Sequence, residues 1–328
     1  SDADVEKVLR QSVEEAVDNA FLVLRTRIDR FGVVQPNIQK IEGQSGRIMV
    51  ELPGIKEPER VRKLLQGSAN LEFWETYDAP IVTPMLSQLN SALRNNATTE
   101  AVEDSVEAVA EEAVADSSKS AASVLSQVKN VEEGLTAKAT EEAKKENPLF
   151  AMLQPTGAQT GCMVAYAMAL DTAEINALLQ SETAKQIFPA DLSLKWGVAS
   201  MDKAGKIFSL YAIRTTGKNG RAPLEGDVVT DAKDDFDQHG NPVVSMKMNT
   251  EGSRKWAAIT EANVEHSVAI VLDNLVYSAP NVEGKIDGGS TQISGNFTTT
   301  ETRDLANVLE SGKMPAPTRI VQEEVVGP

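Results

Sequence analysis

Residues 268–317, VAIVLDNLVYSAPNVEGKIDGGSTQISGNFTTTETRDLANVLESGKMPAP, leave the chain few ways to fold. Val268–Leu272 is an apolar run of the right length for one buried strand. Asp273-Asn274 can turn the chain, and Leu275, Val276 and Tyr277 start a second strand. Gly288-Gly289 makes another turn, after which Gln292–Phe297 sets apolar Ile293 among polar neighbours. A helix follows. Thr298 is its cap, with Glu301 three residues on as a capping box. Leu305, Val308 and Leu309 form its apolar stripe, and Gly312 is its stop. Met314-Pro315-Ala316-Pro317 then forces an extended exit, because proline lacks the helical N–H and restricts the residue before it.

The first 77 residues carry a second pattern. Val5, Val8, Leu9, Val13, Ala16, Val17, Ala20, Phe21, Leu24 and Ile28 recur at three- and four-residue spacing, which predicts one long amphipathic helix ended by Gly32. Arg27, Arg30 and Gly32 are read as a solvated face and a C-terminal cap. Ile38 and Ile41 lie in a strand, and Ile48, Val50 and Leu52 alternate cleanly in the next one. Pro58 opens a helix with Val61, Leu64 and Leu65 inward and Gly67 as stop; Leu71–Trp74 begins a third strand. Helix, strand, strand, helix, strand is most of a ferredoxin-like unit. Arg319–Val326 is the expected fourth strand, in the same sheet as Ile48–Leu52 or its neighbours.

Both blocks resemble the SecD and SecDF protein-export membrane proteins, in their first large periplasmic domain. The likeness lies in VLDNLVYSAP, GG, QISGNF, TRDLANVLESG and MPAP, in that order, and near the N-terminus in RIDRFGVVQPNIQKIEG and GRIMVELPGIKEPERVRKLLQGSANLEFWE. These runs cover roughly half of the chain. No stretch approaches the ~18 apolar residues of a spanning helix, and the opening SDADVEKV has no signal-peptide pattern. The resemblance therefore implies a soluble piece whose flanking membrane helices were left out.

The middle of the chain differs in composition. Residues 98–147 hold twelve acidic residues against five lysines and no aromatic. Such a segment buries too little to offset its ordering entropy, although alanine favours helix. Short helices with mobile joints are expected there, in a lineage-specific spacer. A short helix through Leu93 is expected after Pro80 and Pro84. Strands are expected over Met163–Leu170, Leu192–Trp196, Lys206–Arg214, Asp227–Phe236 and Val243–Met248, with helices over Thr172–Leu179 and Thr250–Asn263.

Chemistry-bearing patterns are scarce. Asp235-x-Asp237-x-His239-Gly240 imitates a calcium loop, but His239 replaces an oxygen ligand and Met246 stands at the twelfth position, so a hairpin turn is expected. His239 and His266 are the only histidines, without further ligands at zinc spacing. No nucleophile elbow, P-loop or G-x-G-x-x-G occurs. Cys162, the single cysteine, reads as a small buried hydrophobe. The net charge of −16 repels phosphates, so nucleic acid is not an expected partner.

The chain is thus expected to be α+β: a ferredoxin-like base (1–77 and 316–328), an Ala/Glu-rich helical insertion that is partly mobile (78–148) and an inserted α+β head (149–315). By resemblance it is a non-enzymatic periplasmic domain of a Sec translocon accessory subunit. It would use no catalytic residue, cofactor or metal. Its partners would be unfolded preprotein, the Sec channel and SecF, on the periplasmic face of the inner membrane, in a multi-pass parent. Tyr277, Ala279, Pro280 and Val282 are the candidate preprotein contacts. The alternative is a free-standing periplasmic solute- or peptide-binding protein.

Overall fold

A computed structural model describes residues 2–31, 33, 35–41, 46–55, 57–103, 143–200, 206–216, 220–295, 297–315 and 318–324. In chain order the elements are α1 (Asp2–Phe31), β1 (Asn37–Lys40), β2 (Ile48–Glu51), α2 (Pro58–Gln66), β3 (Leu71–Thr76), α3 (Ala79–Glu103), β4 (Leu153–Pro155), β5 (Met163–Met168), α4 (Thr172–Leu179), α5 (Glu182–Ile187), β6 (Leu192–Ser200), β7 (Ile207–Arg214), β8 (Leu224–Glu225), β9 (Val229–Phe236), β10 (Pro242–Met248), α6 (Thr250–Ala262), β11 (Val268–Leu272), β12 (Leu275–Ser278), β13 (Ser290–Ser294) and α7 (Thr299–Ser311). The fold is α+β. The chain forms two compact units, one of Ser1–Tyr77, Ser193–Ala199 and Ile213–Pro328, the other of Asp78–Leu192 and Ser200–Ala212.

In the first unit β11 is the central strand. All five of its residues are buried. It pairs antiparallel with β3 on one side, Ile270 opposite Phe73, and with β12 on the other, Leu272 opposite Leu275. An apolar run with no polar alternation needs such a doubly flanked place. Separately, β10 lies between β13 and β9 in an antiparallel three-stranded sheet. Leu71, Phe73 and Ile270 share one core with Val244, Met246 and Ile293, closed by Trp256 and Ile259 of α6 and by Leu305 and Leu309 of α7. Local signals set the ends of both helices. Asn249 accepts from the Gly252 N–H at 2.8 Å. Thr298 and Glu301 form the expected capping box, and Gly312 ends α7 at φ +84°.

In the second unit α3 begins at Ala79, earlier than expected, and includes both prolines. Pro80 sits in the first turn, where an N–H has no partner, and the bond missing at Pro84 would have reached that same turn. Asn90 organises the return of the chain: its side-chain oxygen accepts from the Leu149 and Phe150 N–H groups at 3.0 and 3.2 Å, and its amide donates to Asn147. Leu86, Leu89, Leu149 and Leu153 are buried. Cys162 is buried too, and its carbonyl accepts from Ala212. Of the acidic segment, residues 104–142 lie outside the described residues.

Three expectations fail in the first unit. Residues 318–324 form no strand, so the described part of Arg319–Val326 does not pair with β2. Thr318 instead donates to the Leu65 carbonyl at 3.2 Å and Arg62 forks onto Glu323, which lays this segment along α2. β3 lies against β11 and β8, leaving β1 and β2 as a two-stranded ribbon. The apolar stripe of α1 is also only half used. Ala20, Leu24 and Ile28 are buried, whereas Val5, Val8, Leu9 and Val13 are exposed.

Candidate functional site

The turn between β11 and β12 is built by Asp273 and Asn274, at φ +50° and +70°. Two successive left-handed residues give the tight hairpin, and Asp and Asn tolerate that conformation better than most side chains. The Asp273 carboxylate faces the loop before β3, accepting from the Asn70 and Ala69 N–H groups at 2.9 and 3.3 Å and from the Ser68 hydroxyl.

Behind this turn lies Arg27, and its place corrects the solvated reading. Its residue exposure is 0%. Nε donates to Ser311 Oγ at 2.9 Å, Nη1 to the Leu64 carbonyl at 2.9 Å and to the Gly67 carbonyl, and Nη2 to the Gly312 carbonyl at 3.3 Å. These carbonyls are the orphan acceptors at the C-terminal ends of α2 and α7, where the helix dipole also favours a cation. Burial pushes the guanidinium down to about 10, and the nearby Asp273 carboxylate pulls it up. Arg30 pairs with Glu310, and Arg60 forks onto Asp304 at 2.5 and 2.7 Å. Three arginines of the first 60 residues thus hold α7.

The four candidate contacts follow this hairpin but differ in place. Tyr277 is half-buried, its ring 6.3 Å from that of Phe297, and burial with Asp273 and Glu301 nearby pushes its phenol up to about 12. Val282 is buried in the same core; Ala279 is half-buried and Pro280 exposed. The main chain here is already engaged: Val268 N–H donates to the Pro280 carbonyl, Val282 N–H to His266 and Glu265 N–H to Val282. β11, flanked by β3 and β12, has no free edge for an added chain.

The Asp237 turn is a hairpin. Its carboxylate accepts from the His239 and Asn241 backbone and from the Asn241 amide, all within 2.9 Å, and the Asn241 contacts hold it below the usual carboxylate range. Among the described residues no group of three His, Cys, Asp or Glu side chains is arranged to hold a metal, and no helix is long and apolar enough to cross a membrane.

The two blocks that organise the first unit are also those that match known families. Residues 17–78 match the family model described as "Protein translocase subunit SecDF, P1 domain, N-terminal", and residues 211–316 match "SecDF, P1 head subdomain". The two together take in just over half of the chain. The chain belongs to the SecD/SecDF family. Protein translocase subunit SecD of Rhodothermus marinus is 39% identical over 100% of this chain and 49% of its own length. SecD of Magnetococcus marinus is 29% identical over 95% of this chain and 40% of its own length. The chain spans about half or less of the length of these curated relatives. A solved structure described as "Structure and function of a membrane component SecDF that enhances protein export" is 24% identical, covers 95% of this chain and 94% of its own, and has a TM-score of 0.47. The SecD kinship does not favour a free-standing solute-binding protein.

Proposed function

We propose that this chain is the periplasmic P1 region of a Sec translocon accessory subunit. It assists export driven by the proton-motive force by engaging the preprotein as it emerges. The observation that carries the reading is the SecD kinship over the whole chain. Proton-carrying groups belong to membrane helices of the parent, so this part has no turnover and needs no cofactor. Its partners are the unfolded preprotein and, through the membrane part, the Sec channel and SecF. In this reading α1, α2, β1 and β2 belong to a base (1–77 and 316–328). Residues 78–148 form an insertion and 149–315 the head.

The proposed contact patch is Tyr277, Ala279 and Pro280, with Val282 as its buried floor. Exposed Pro280 and the accessible part of the Tyr277 ring offer apolar area that tolerates many sequences. Release of the cargo requires weak binding, with dissociation constants of ~10–100 µM. The test is an NMR or cross-linking titration with an unfolded, reduced secretory polypeptide and with its folded parent. Preference for the unfolded form, lowered by Tyr277→Asp in a variant that stays folded, is the expected result. Equal binding to both forms overturns the proposal.

A further inference from the structure

An unfolded chain offers one feature that does not depend on its sequence, its unpaired main chain. A sheet edge is the surface that recognises this feature, and proteins normally block such edges with charge, proline or brevity. Among the described residues the edge strands are β1, β2, β4, β8, β9 and β13. β1 carries Lys40, β2 carries Glu51, β4 carries Pro155, and β8 is two residues long with Glu225. β9 carries Asp231, Lys233, Asp234 and Asp235. β13 reads Ser290, Thr291, Gln292, Ile293, Ser294, with neither charge nor proline.

The register shows which groups of β13 are open. Met248 N–H donates to the Gly289 carbonyl at 2.9 Å, and the pairs then run Lys247–Ser290, Met246–Thr291, Ser245–Gln292, Val244–Ile293 and Val243–Ser294. In an antiparallel ladder hydrogen-bonded and non-bonded pairs alternate. Thr291 and Ile293 therefore bond to β10, and the N–H and C=O groups of Ser290, Gln292 and Ser294 point away from it. No hydrogen bond among the described residues occupies those outward groups. Ser290 and Gln292 are exposed, while Ile293 anchors the strand in the core. Gly289 allows the approach: at φ +66°, any Cβ there would overlap Ser253 at the start of α6. The far end leads within three residues to Phe297, whose ring packs against Tyr277.

We propose that the outer edge of β13 is a docking strand for an extended segment of unfolded polypeptide. The segment would pair through the main chain of Ser290, Gln292 and Ser294 and set alternate side chains on the face of Ile293. This rests on the export-factor reading above and names its mode of recognition. It predicts tolerance of sequence, rejection of folded proteins and a preference for alternating apolar residues.

The experiment is amide hydrogen exchange by NMR on the whole 328-residue chain, with and without excess reduced, carboxymethylated lactalbumin as a permanently unfolded probe. Protection of the Ser290, Gln292 and Ser294 amides is expected, while the native, disulfide-intact form of the same protein gives none. Gln292→Pro removes an outward N–H and spares the bonds to β10, so it should weaken probe binding at least tenfold with an unchanged melting temperature. If that variant fails to fold, the exchange pattern of the unaltered chain decides alone. Probe binding without protection of those three amides overturns the edge and leaves the export-factor reading intact. No binding of the unfolded probe anywhere removes both.

Discussion

The two halves of α1 share one apolar periodicity and meet opposite fates. Val8 and Leu9 are 61% and 60% exposed, whereas Arg27 and Ile28 are 0% and 1% exposed. The buried half is the half that carries Arg27. Hydrophobic spacing tells which face of a helix seeks cover, but it does not say whether a partner is there. What covers residues 20–28 comes from far along the chain. Arg27 and Ser311 are 284 residues apart, and Met314 packs with Ala20 and Leu24.

Arg27→Met should have the largest effect. It removes a buried cation and strands the Leu64, Gly67 and Gly312 carbonyls together with nearby Asp273, so a loss of about 3–5 kcal/mol is expected in urea unfolding. Arg27→Lys should recover only part, since one ammonium cannot reach acceptors on two helix ends at once. A midpoint unchanged by Arg27→Met would mean that the seam is not what holds α7.

Paired truncations come next. Leu24→Ala should cost about 2–4 kcal/mol, and Leu9→Ala, on the same apolar stripe, less than about 0.5 kcal/mol. Equal losses would dissolve the contrast between the halves. Arg60→Ala should cost about 1 kcal/mol, because its fork onto Asp304 and its stacking on Phe31 are partly exposed and screened by salt. A double-mutant cycle with Asp304→Ala isolates the pair. The smallest effect belongs to deletion of residues 1–14, which should move the melting temperature by no more than about 1 °C. A larger drop would reveal cover on the exposed half.

Much of the local structure was legible in the sequence. The Thr298–Glu301 capping box, the helix starting at Thr250, the Asp273-Asn274 turn and the burial of Val268–Leu272 all follow from residues a few positions apart. Such signals act through short-range hydrogen bonds and backbone preferences, so a one-dimensional reading captures them. Strand partnership was not legible. Leu71–Thr76 looks like the third strand of an N-terminal sheet, yet it pairs with β11, because an apolar strand takes the neighbour that buries both its faces, whatever the sequence separation. Arg27 was misread for the same reason. An arginine on a helix surface is normally solvated, and only the convergence of two helix C-termini and the Asp273 turn makes its burial favourable. Its position one residue from Ile28 and three from Leu24 was the available clue. Of the candidate contacts, apolar character was readable at Tyr277 and Val282. Which of them meets solvent, and which sheet edge stays open, was decided by long-range packing, where most of the burial free energy lies.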